Sequence, residues 1–371
     1  MPHAAPRPHL TPLARKLAAR IASQGPMSFH DYMEACLYDP DHGYYKKREA
    51  LGRGGDFITA PEISQVFGEL IGLWAGEVWR QMGEPGAVRL IELGPGRGTL
   101  MADALRALRV LPRFLESMTV HLIETSEPLR NAQRATLAGT VPPISWHGRL
   151  SDVPEGPSVL IANEFFDCLP VHQFVFSAAT QDWRERMVTF EERTFEIVSG
   201  PVTNQVRLSP HGSVPGDGDI LEFRPGVEEA LSAFAARAER GPAAALLIDY
   251  GYSRPSLGDT VQAVKQHHFT GIFDAPGETD LTAHVDFSHL DARAADAGFG
   301  TFGPMPMGEW LLRVGLEART QQLLASASEE EARGLIGQVS RLVDPAQMGA
   351  LFKVVALTRG VPVPPPPFSR E

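Results

Sequence analysis

Cysteine is scarce in this 371-residue chain, which carries only Cys36 and Cys168. The sequence has no C-x-x-C motif and too few thiols for a disulfide framework. It therefore does not resemble a disulfide-stapled secreted scaffold, and it fits a reducing compartment. We expect both thiols to be buried side chains and not nucleophiles.

Long apolar runs and basic stretches are also missing. The densest apolar run, at 243–248, is far shorter than the roughly 20 residues that span a bilayer. An integral membrane segment is therefore not expected, and any membrane role would be peripheral. The formal net charge is −11, which repels phosphate backbones, so nucleic acid is not an expected partner. A cationic protein substrate would be attracted to such a surface.

The composition that remains is that of a globular protein, with 43% hydrophobic and 21% charged residues. A chain of this length suits one large α/β domain with an insertion, or two domains. Residues 1–30 lack acids, as mitochondrial transit peptides do. However, Thr11-Pro12 and the apolar spacing up to Gly25-Pro26 predict a first structural helix instead.

The N-terminal region at 10–80 is predicted to be mainly helical. A turn-rich stretch at 38–45 and a glycine-rich loop at 51–64 interrupt it. Apolar residues then repeat at helical spacing and predict a helix from Glu62 to Met82.

From residue 87 the pattern changes to alternating strands and helices. Buried strands are predicted at 87–93, 119–125, 144–148 and 158–164, with helices at 98–111 and 126–138. This succession predicts an α/β fold with a doubly wound, mostly parallel sheet.

The second half begins with three segments of period-two alternation, which predict an antiparallel insertion. Further elements are a helix at 226–240, a strand at 244–251, a long turn-rich loop, a helix at 286–297 and a strand at 352–359. The Pro-rich tail is expected to be disordered. The predicted divisions are 1–84 (helical region and covering loop), 85–170 (first part of the core), 171–225 (insertion), 226–360 (remainder of the core) and 361–371 (tail).

The run LIELGPGRGTL at 90–100 joins the first of these strands to a helix. Gly94 and Gly96 would let the backbone turn sharply against a ligand, and Gly98 would let the helix start close to the strand. This arrangement is typical of a site for a nucleotide-like ligand.

Two residues that flank the glycine turn distinguish between the candidate ligands. A dinucleotide fingerprint needs a third glycine where this chain has Thr99. The acid Glu92 would repel a pyrophosphate but would suit the cationic amino-acid part of S-adenosylmethionine. The pattern favours S-adenosylmethionine, with an NAD-dependent oxidoreductase as the alternative.

Acids also stand at the ends of two other predicted strands. Glu124 ends the second strand, where an acid can accept hydrogen bonds from ribose hydroxyls. The fourth strand ends in NEFFDCLP at 163–170, which would place Asn163, Glu164 and Asp167 near the transferable methyl group. Taken alone, this second run could equally be a helix cap with core aromatics.

Several runs together resemble the MidA-like family of S-adenosylmethionine-dependent methyltransferases, whose mitochondrial members are complex I assembly factors that methylate an arginine. The matching runs are GPMSFHDYMEACLYDPDHGYY (25–45), GDFITAPEISQVFGEL (55–70), IELGPGRGTL (91–100), HLIETSEPLRNAQ (121–133), NEFFDCLPVHQF (163–174), LLIDYGY (246–252) and PGETDLTAHVDF (276–287). One departure is the run at 260–269, where Gln262 and Val264 replace the Arg and Tyr that are more frequent in the family.

The resemblance implies a Rossmann-like, seven-stranded methyltransferase core that binds S-adenosylmethionine, with a loop that covers the cofactor. It implies a protein substrate bearing arginine, such as a complex I subunit, in the cytoplasm of a bacterium or in the mitochondrial matrix of a eukaryote. The implied cofactor-binding residues are Glu92, Gly94, Gly96, Gly98, Thr99, Glu124, Thr59, Asp56 and Asn163, with Glu62 close by.

Methyl transfer to arginine needs groups that orient a planar cation and stabilise its charge. The candidate catalytic residues are Glu164, Asp167, Asn163 and Asp249, with Asp280 in reserve. The histidines at 267, 268, 284 and 289 lack ligand spacing, so no metal site is expected. A non-catalytic, cofactor-binding assembly factor is the competing class, and the sequence leaves a homodimer open.

Overall fold

The computed structural model describes residues 10–46, 58–203 and 214–369. Contacts group these residues into two compact units. The core unit comprises the described residues of Leu51–Asp167, Gly226–Pro255 and His284–Glu371. The antiparallel unit comprises those of Met1–Ala50, Cys168–Pro225 and Ser256–Ala283.

The strands are β1 (Met27–Ser28), β2 (Val88–Leu93), β3 (Met118–Ile123), β4 (Ile144–His147), β5 (Ser158–Asn163), β6 (His172–Ser177), β7 (Asp182–Glu191), β8 (Thr194–Val202), β9 (Ile220–Phe223), β10 (Ala243–Tyr252), β11 (Gln262–Lys265), β12 (His268–Thr270), β13 (Asp280–Thr282), β14 (Val285–Asp286), β15 (Gly300–Pro306) and β16 (Phe352–Arg359).

The α-helices are α1 (Pro12–Gln24), α2 (Phe29–Tyr38), α3 (Ala60–Ile63), α4 (Gln65–Gln81), α5 (Thr99–Ala107), α6 (Pro112–Ser117), α7 (Glu127–Thr136), α8 (Pro225–Ala238), α9 (Phe287–Asp296), α10 (Met307–Arg313), α11 (Leu316–Leu324), α12 (Glu329–Val343) and α13 (Met348–Leu351). Single 3₁₀ turns occur at Tyr44–Lys46, Leu108–Val110 and Leu150–Asp152.

The core unit is built on a sheet of strand order β15-β16-β10-β5-β2-β3-β4, with β14 paired to β10. Strands β4, β3, β2, β5 and β10 run parallel, and β16 and β15 close one edge antiparallel. The chain winds outward from β2 to β4 and then returns to β5 on the other side of β2. The predicted Rossmann-like, mostly parallel sheet is confirmed, and its switch point lies between β2 and β5, where ligands bind in open α/β sheets.

Continuous apolar runs explain why the central strands lie inside. All six residues of β5 and the first eight of β10 are buried, as expected for strands covered on both faces. Large side chains from the surrounding helices fill the space against the sheet, among them Phe67, Phe114 and Trp310. The strands that end at the switch point, β2 and β5, therefore belong to the buried core of this unit.

The antiparallel unit contains a sheet of order β1-β7-β6-β9, with β8 paired to β7. All its pairings are antiparallel, which confirms the period-two prediction for 172–199. The ring of Tyr32 from α2 packs against Phe29, Phe195 and Phe273. Both cysteines are buried, as expected from the sequence.

Three expectations about secondary structure are wrong. The helix predicted from Glu62 to Met82 is broken at Ser64, whose backbone is extended (φ −150°, ψ 132°). The Ser64 hydroxyl accepts a hydrogen bond from the N–H of Val66 and so caps α4, an alternative that serine offers to helix propagation. The long loop predicted after residue 251 holds β11, β12 and β13, which form a three-stranded antiparallel sheet.

The third wrong expectation is that the Pro-rich tail is disordered. Its described residues, 361–369, are anchored to the core unit by two contacts. The indole Nε1 of Trp74 donates a hydrogen bond to the carbonyl of Pro366 over 2.7 Å, and the ring of Phe368 packs against Phe302. Proline removes backbone donors but leaves carbonyls free to accept, so a Pro-rich segment can still be fixed by side-chain donors. In the described part of the chain, no helix is long and apolar enough to cross a membrane.

Candidate active site

The glycine turn after β2 adopts a backbone that other residues rarely accept. Gly94, Gly96 and Gly98 have φ angles of 59°, 54° and 84°, and Gly98 forms the N-cap of α5. A Cβ atom on Gly94 would lie 3.0 Å from Cδ2 of Phe165. The turn is therefore shaped by glycine, and it brings bare backbone to the switch point of the sheet.

Glu92 lies inside β2, beside Leu122 of β3 and Ile161 of β5. Its Oε2 is buried and has no hydrogen-bond partner among the residues that the structure describes. Burial raises the pKa of this carboxyl group to about 8. A buried acid of this kind is suited to a cationic ligand group, whose charge would restore the carboxylate form.

Glu124 follows β3 directly and is also buried. Its Oε1 accepts a hydrogen bond from the N–H of Ser126 (2.7 Å), and its Oε2 accepts one from Nε2 of Gln133 (3.3 Å). Burial raises the pKa of Glu124, while these two donors oppose that shift. The acid is thus held in one orientation at the carboxyl end of β3.

Gln133 is a site residue that the sequence reasoning missed. Besides Glu124, its Nε2 donates to the carbonyl of Gly96 over 2.8 Å, so it joins the glycine turn to the acid after β3. Leu129 and Gln133 form the buried face of α7. A polar residue four positions from an apolar one on the same face is the signal that could have indicated it.

Asn163 and Glu164 lie at the end of β5. Glu164 has a left-handed backbone (φ 51°), and its Oε1 accepts hydrogen bonds from the N–H of Ala60 (3.0 Å) and Nδ2 of Asn163 (3.1 Å). Within the described ranges, Oε2 of Glu164 and Oδ1 of Asn163 are buried without a hydrogen-bond partner. Burial, with a smaller contribution from the negative charge of Asp167, raises the pKa of Glu164 to about 8.

Asp249 occupies a different position from the other predicted catalytic residues. It lies in β10, and its Oδ2 accepts hydrogen bonds from the N–H groups of Phe166 (2.9 Å) and Asp167 (3.2 Å). Its Oδ1 accepts from the N–H of Tyr250 (3.0 Å). Both oxygens therefore bind backbone and hold the turn that follows Glu164.

The end of the predicted covering loop is attached to the same sheet edge. Thr59 is the N-cap residue of α3, Ala60 donates to Glu164, and Oε1 of Glu62 accepts a hydrogen bond from Oγ1 of Thr99 (2.5 Å). Asp56 lies outside the described residues. Four neighbouring parallel strands thus bring Glu92, Glu124, Glu164 and Asp249 to one edge of the core sheet.

Comparison with known proteins decides the family. A family model for S-adenosyl-L-methionine-dependent methyltransferases matches residues 70–305. The mitochondrial protein arginine methyltransferase NDUFAF7 homolog of Drosophila melanogaster is 38% identical, over 94% of this chain and 85% of that protein. The protein arginine methyltransferase NDUFAF7 of Homo sapiens, also mitochondrial, is 36% identical, over 94% and 83%.

A solved structure supports the same assignment. A protein of Burkholderia thailandensis, crystallised with S-adenosylhomocysteine, superimposes with a TM-score of 0.80 at 30% identity, covering 94% of this chain and 92% of that one. This chain belongs to the S-adenosylmethionine-dependent methyltransferase family. The resemblance drawn from the sequence is confirmed, and the NAD-dependent alternative is set aside.

The cofactor of this methyltransferase is therefore S-adenosylmethionine, and the residues at the sheet edge fit it. The buried Oε2 of Glu92 offers an acceptor for an ammonium group, and the left-handed glycine turn after β2 offers bare backbone to a ligand. Glu124 is a fixed acceptor one βα unit further on, where a ribose is bound in such sheets. A pyrophosphate would face the buried acid Glu92 unfavourably.

Proposed function

We propose that this methyltransferase transfers a methyl group to an arginine side chain of a protein. The observation that carries the proposal is the pair of buried acceptor atoms, Oε2 of Glu164 and Oδ1 of Asn163, which have no partner in the described part of the chain. The named relatives are protein arginine methyltransferases, which supports arginine as the residue that receives the methyl group. The net charge of −11 would also favour a basic protein surface.

The chemistry asks the protein for orientation more than for proton transfer. When bound, the cofactor supplies a methyl group on an activated sulfonium. The guanidinium enters the site as a cation, so the site has to align one nitrogen with the methyl group. As the N–C bond forms and the S–C bond breaks, that nitrogen loses one proton, which the carboxylate of Glu164 would accept, and the product remains a monocation. A carboxylate can bind the guanidinium fork through two parallel hydrogen bonds.

Glu164 is suited to this role by its position and by its pKa. The pKa is about 8 in the absence of a ligand. A guanidinium placed against Oε2 would lower it, because an opposite charge favours the ionised carboxylate. We assign Asn163 and Asp167 to the same acceptor site. Asp249 would act through the turn that it holds.

We assign the cofactor-binding residues from the same arrangement of strand ends. Glu92 would accept from the ammonium group, and Glu124 from the ribose hydroxyls. Gly94, Gly96 and Gly98 would shape the turn around the methionine part. Thr59, Asp56 and Thr99 complete the proposed set, in which Thr99 also ties the covering segment to the turn through Glu62.

The family resemblance suggests where to look for the acceptor, namely among respiratory complex I subunits with an exposed arginine. The purified protein would be incubated with methyl-labelled S-adenosylmethionine and an extract of cells lacking this gene. We expect label in methylarginine of one protein, and loss of that label with the Glu164→Gln variant. Binding of S-adenosylhomocysteine without transfer to any protein would overturn the proposal in favour of a non-catalytic assembly factor.

A further inference from the structure

Gln133 uses both ends of its side-chain amide inside the core unit. It is fully buried (0% exposed). Its Nε2 donates to the carbonyl of Gly96 (2.8 Å) and to Oε2 of Glu124 (3.3 Å), and its Oε1 accepts from the indole Nε1 of Trp146 (2.8 Å). An amide nitrogen carries two hydrogens, so one side chain can serve both acceptors.

All three contacts of Gln133 select the same orientation of its amide. An indole N–H can only donate, so the amide oxygen must face Trp146. The NH₂ group must then face Gly96 and Glu124. A reversed amide would place the oxygen against a carbonyl and a carboxylate. The carbonyl of Gly96, Oε2 of Glu124 and Oε1 of Gln133 would then lose the donors that they now have.

We propose that Gln133 is a positioning residue that fixes Glu124, relative to the glycine turn, in the orientation needed to bind the ribose hydroxyls of the cofactor. This inference rests on the ribose role proposed for Glu124. The second oxygen of Glu124 is held by the N–H of Ser126, so the two donors together leave the carboxylate a single orientation. They also favour its ionised form, against the effect of burial.

The test compares two ligands, S-adenosylhomocysteine and its 2′-deoxy analogue, by titration calorimetry. The wild-type protein should bind S-adenosylhomocysteine about tenfold more tightly, because a hydrogen bond to a charged acceptor is lost in the analogue. Gln133→Leu should reduce the affinity for S-adenosylhomocysteine by about tenfold and the affinity for the analogue by no more than about threefold. The preference for the ribose hydroxyl should therefore nearly disappear.

Two further variants separate positioning from a general loss of packing. Gln133→Glu keeps the shape but places a second carboxyl group beside Glu124, so its affinity relative to that of the wild-type protein should fall as the pH rises from 6 to 8. Trp146→Phe leaves both Gln133 donors in place and should keep the preference for the hydroxyl. Thermal unfolding of each variant measures the accompanying loss of stability.

Equal weakening of both ligands in Gln133→Leu would overturn the inference, since it would show a packing role alone. A wild-type protein that binds both ligands equally would instead remove the ribose role of Glu124 and the inference with it. Neither result would contradict the proposed methyl transfer to arginine, because that activity is tested separately by label incorporation in cell extract.

Discussion

The backbone N–H of Ala60 donates a hydrogen bond to Oε1 of Glu164 over 3.0 Å. Ala60 is the first residue of α3, the short helix at the end of the predicted covering loop, and Glu164 is the acid at the end of β5. A second bond, from Thr99 to Glu62, joins the same helix to the start of α5. The end of the predicted covering loop is therefore structurally coupled to Glu164, the acid that we propose binds the substrate arginine.

Replacement of Ala60 by proline should test this coupling. Proline suits the first position of a helix, and Thr59 already has the extended backbone that precedes proline. The N–H that supports the ionised Glu164 would be lost, so the pKa of Glu164 should rise further. We expect the acid limb of the pH profile of methyl transfer to move up by about one pH unit.

The control for this variant is Ala60→Gly, which retains the N–H and should leave the profile within about 0.3 units. The profile is measured as kcat/KM for the labelled acceptor between pH 6 and 9. An unchanged limb in Ala60→Pro would show that the bond to Ala60 does not influence the ionisation of Glu164.

Glu164→Gln should separate catalysis from cofactor binding. Glutamine keeps an oxygen for Ala60 but cannot carry the negative charge that would bind a guanidinium. Methyl transfer should fall about 100-fold or more, while the Kd of S-adenosylhomocysteine stays within about threefold. The exposed Glu330→Gln is the matched control, and turnover comparable to wild type in Glu164→Gln would remove this residue from the reaction.

Much of this sheet edge could be predicted because its signals are local. Strands β2, β3 and β5 follow from apolar runs, and the carboxyl ends of parallel strands share an edge. Glu92, Glu124 and Glu164 could therefore be placed together from the order of strands and helices along the chain. The family resemblance added the covering segment that ends in α3.

Other features depend on partners that are distant in the chain. The spacing of Gln133 indicates no more than a place on the buried face of α7, and its contacts with Gly96, Glu124 and Trp146 give it a role. The short strands β11, β12 and β13 have too few residues to show a period, and pairing with each other stabilises them. The tail residue Pro366 is fixed by an indole 292 positions away in sequence.

The ionisation of Glu92 predicts how stability depends on pH. Its pKa is about 8 in the folded protein and close to its ordinary value of 4.5 when unfolded. Between these values the folded state binds more protons, so stability is full below about pH 4.5 and is lost as the pH rises through 8. Without cofactor, the free energy of unfolding should fall from pH 5 to pH 8. Glu92→Gln should remove the part of that fall that is due to Glu92 and leave the part that is due to Glu164, whose pKa is also about 8.

Urea denaturation at several pH values measures this effect, with the exposed Glu116→Gln as control. In Glu92→Gln the affinity for S-adenosylhomocysteine should drop about tenfold or more, since the acceptor for its ammonium group loses its charge. If the free energy of unfolding depended on pH in the same way in Glu92→Gln and in the wild-type protein, a group other than Glu92 would be responsible for the dependence.

Gly94→Ala should impair cofactor binding through the backbone. Alanine at φ 59° is strained, and its Cβ would press against Phe165 at 3.0 Å. We expect the Kd of S-adenosylhomocysteine to increase at least about tenfold, measured by calorimetry. Gly86→Ala is the control, because a Cβ there meets nothing within 4 Å.

Asp249→Asn distinguishes a positioning role from contact with the substrate. The carboxylate of Asp249 accepts three backbone N–H bonds, whereas an asparagine presents an NH₂ group to at least one of these donors. The turn that carries Asp167 should then shift, and kcat should fall about tenfold or more with the KM of the acceptor nearly unchanged. A rise in acceptor KM with kcat retained would instead place Asp249 against the bound arginine, because such an effect reports lost binding and not lost alignment.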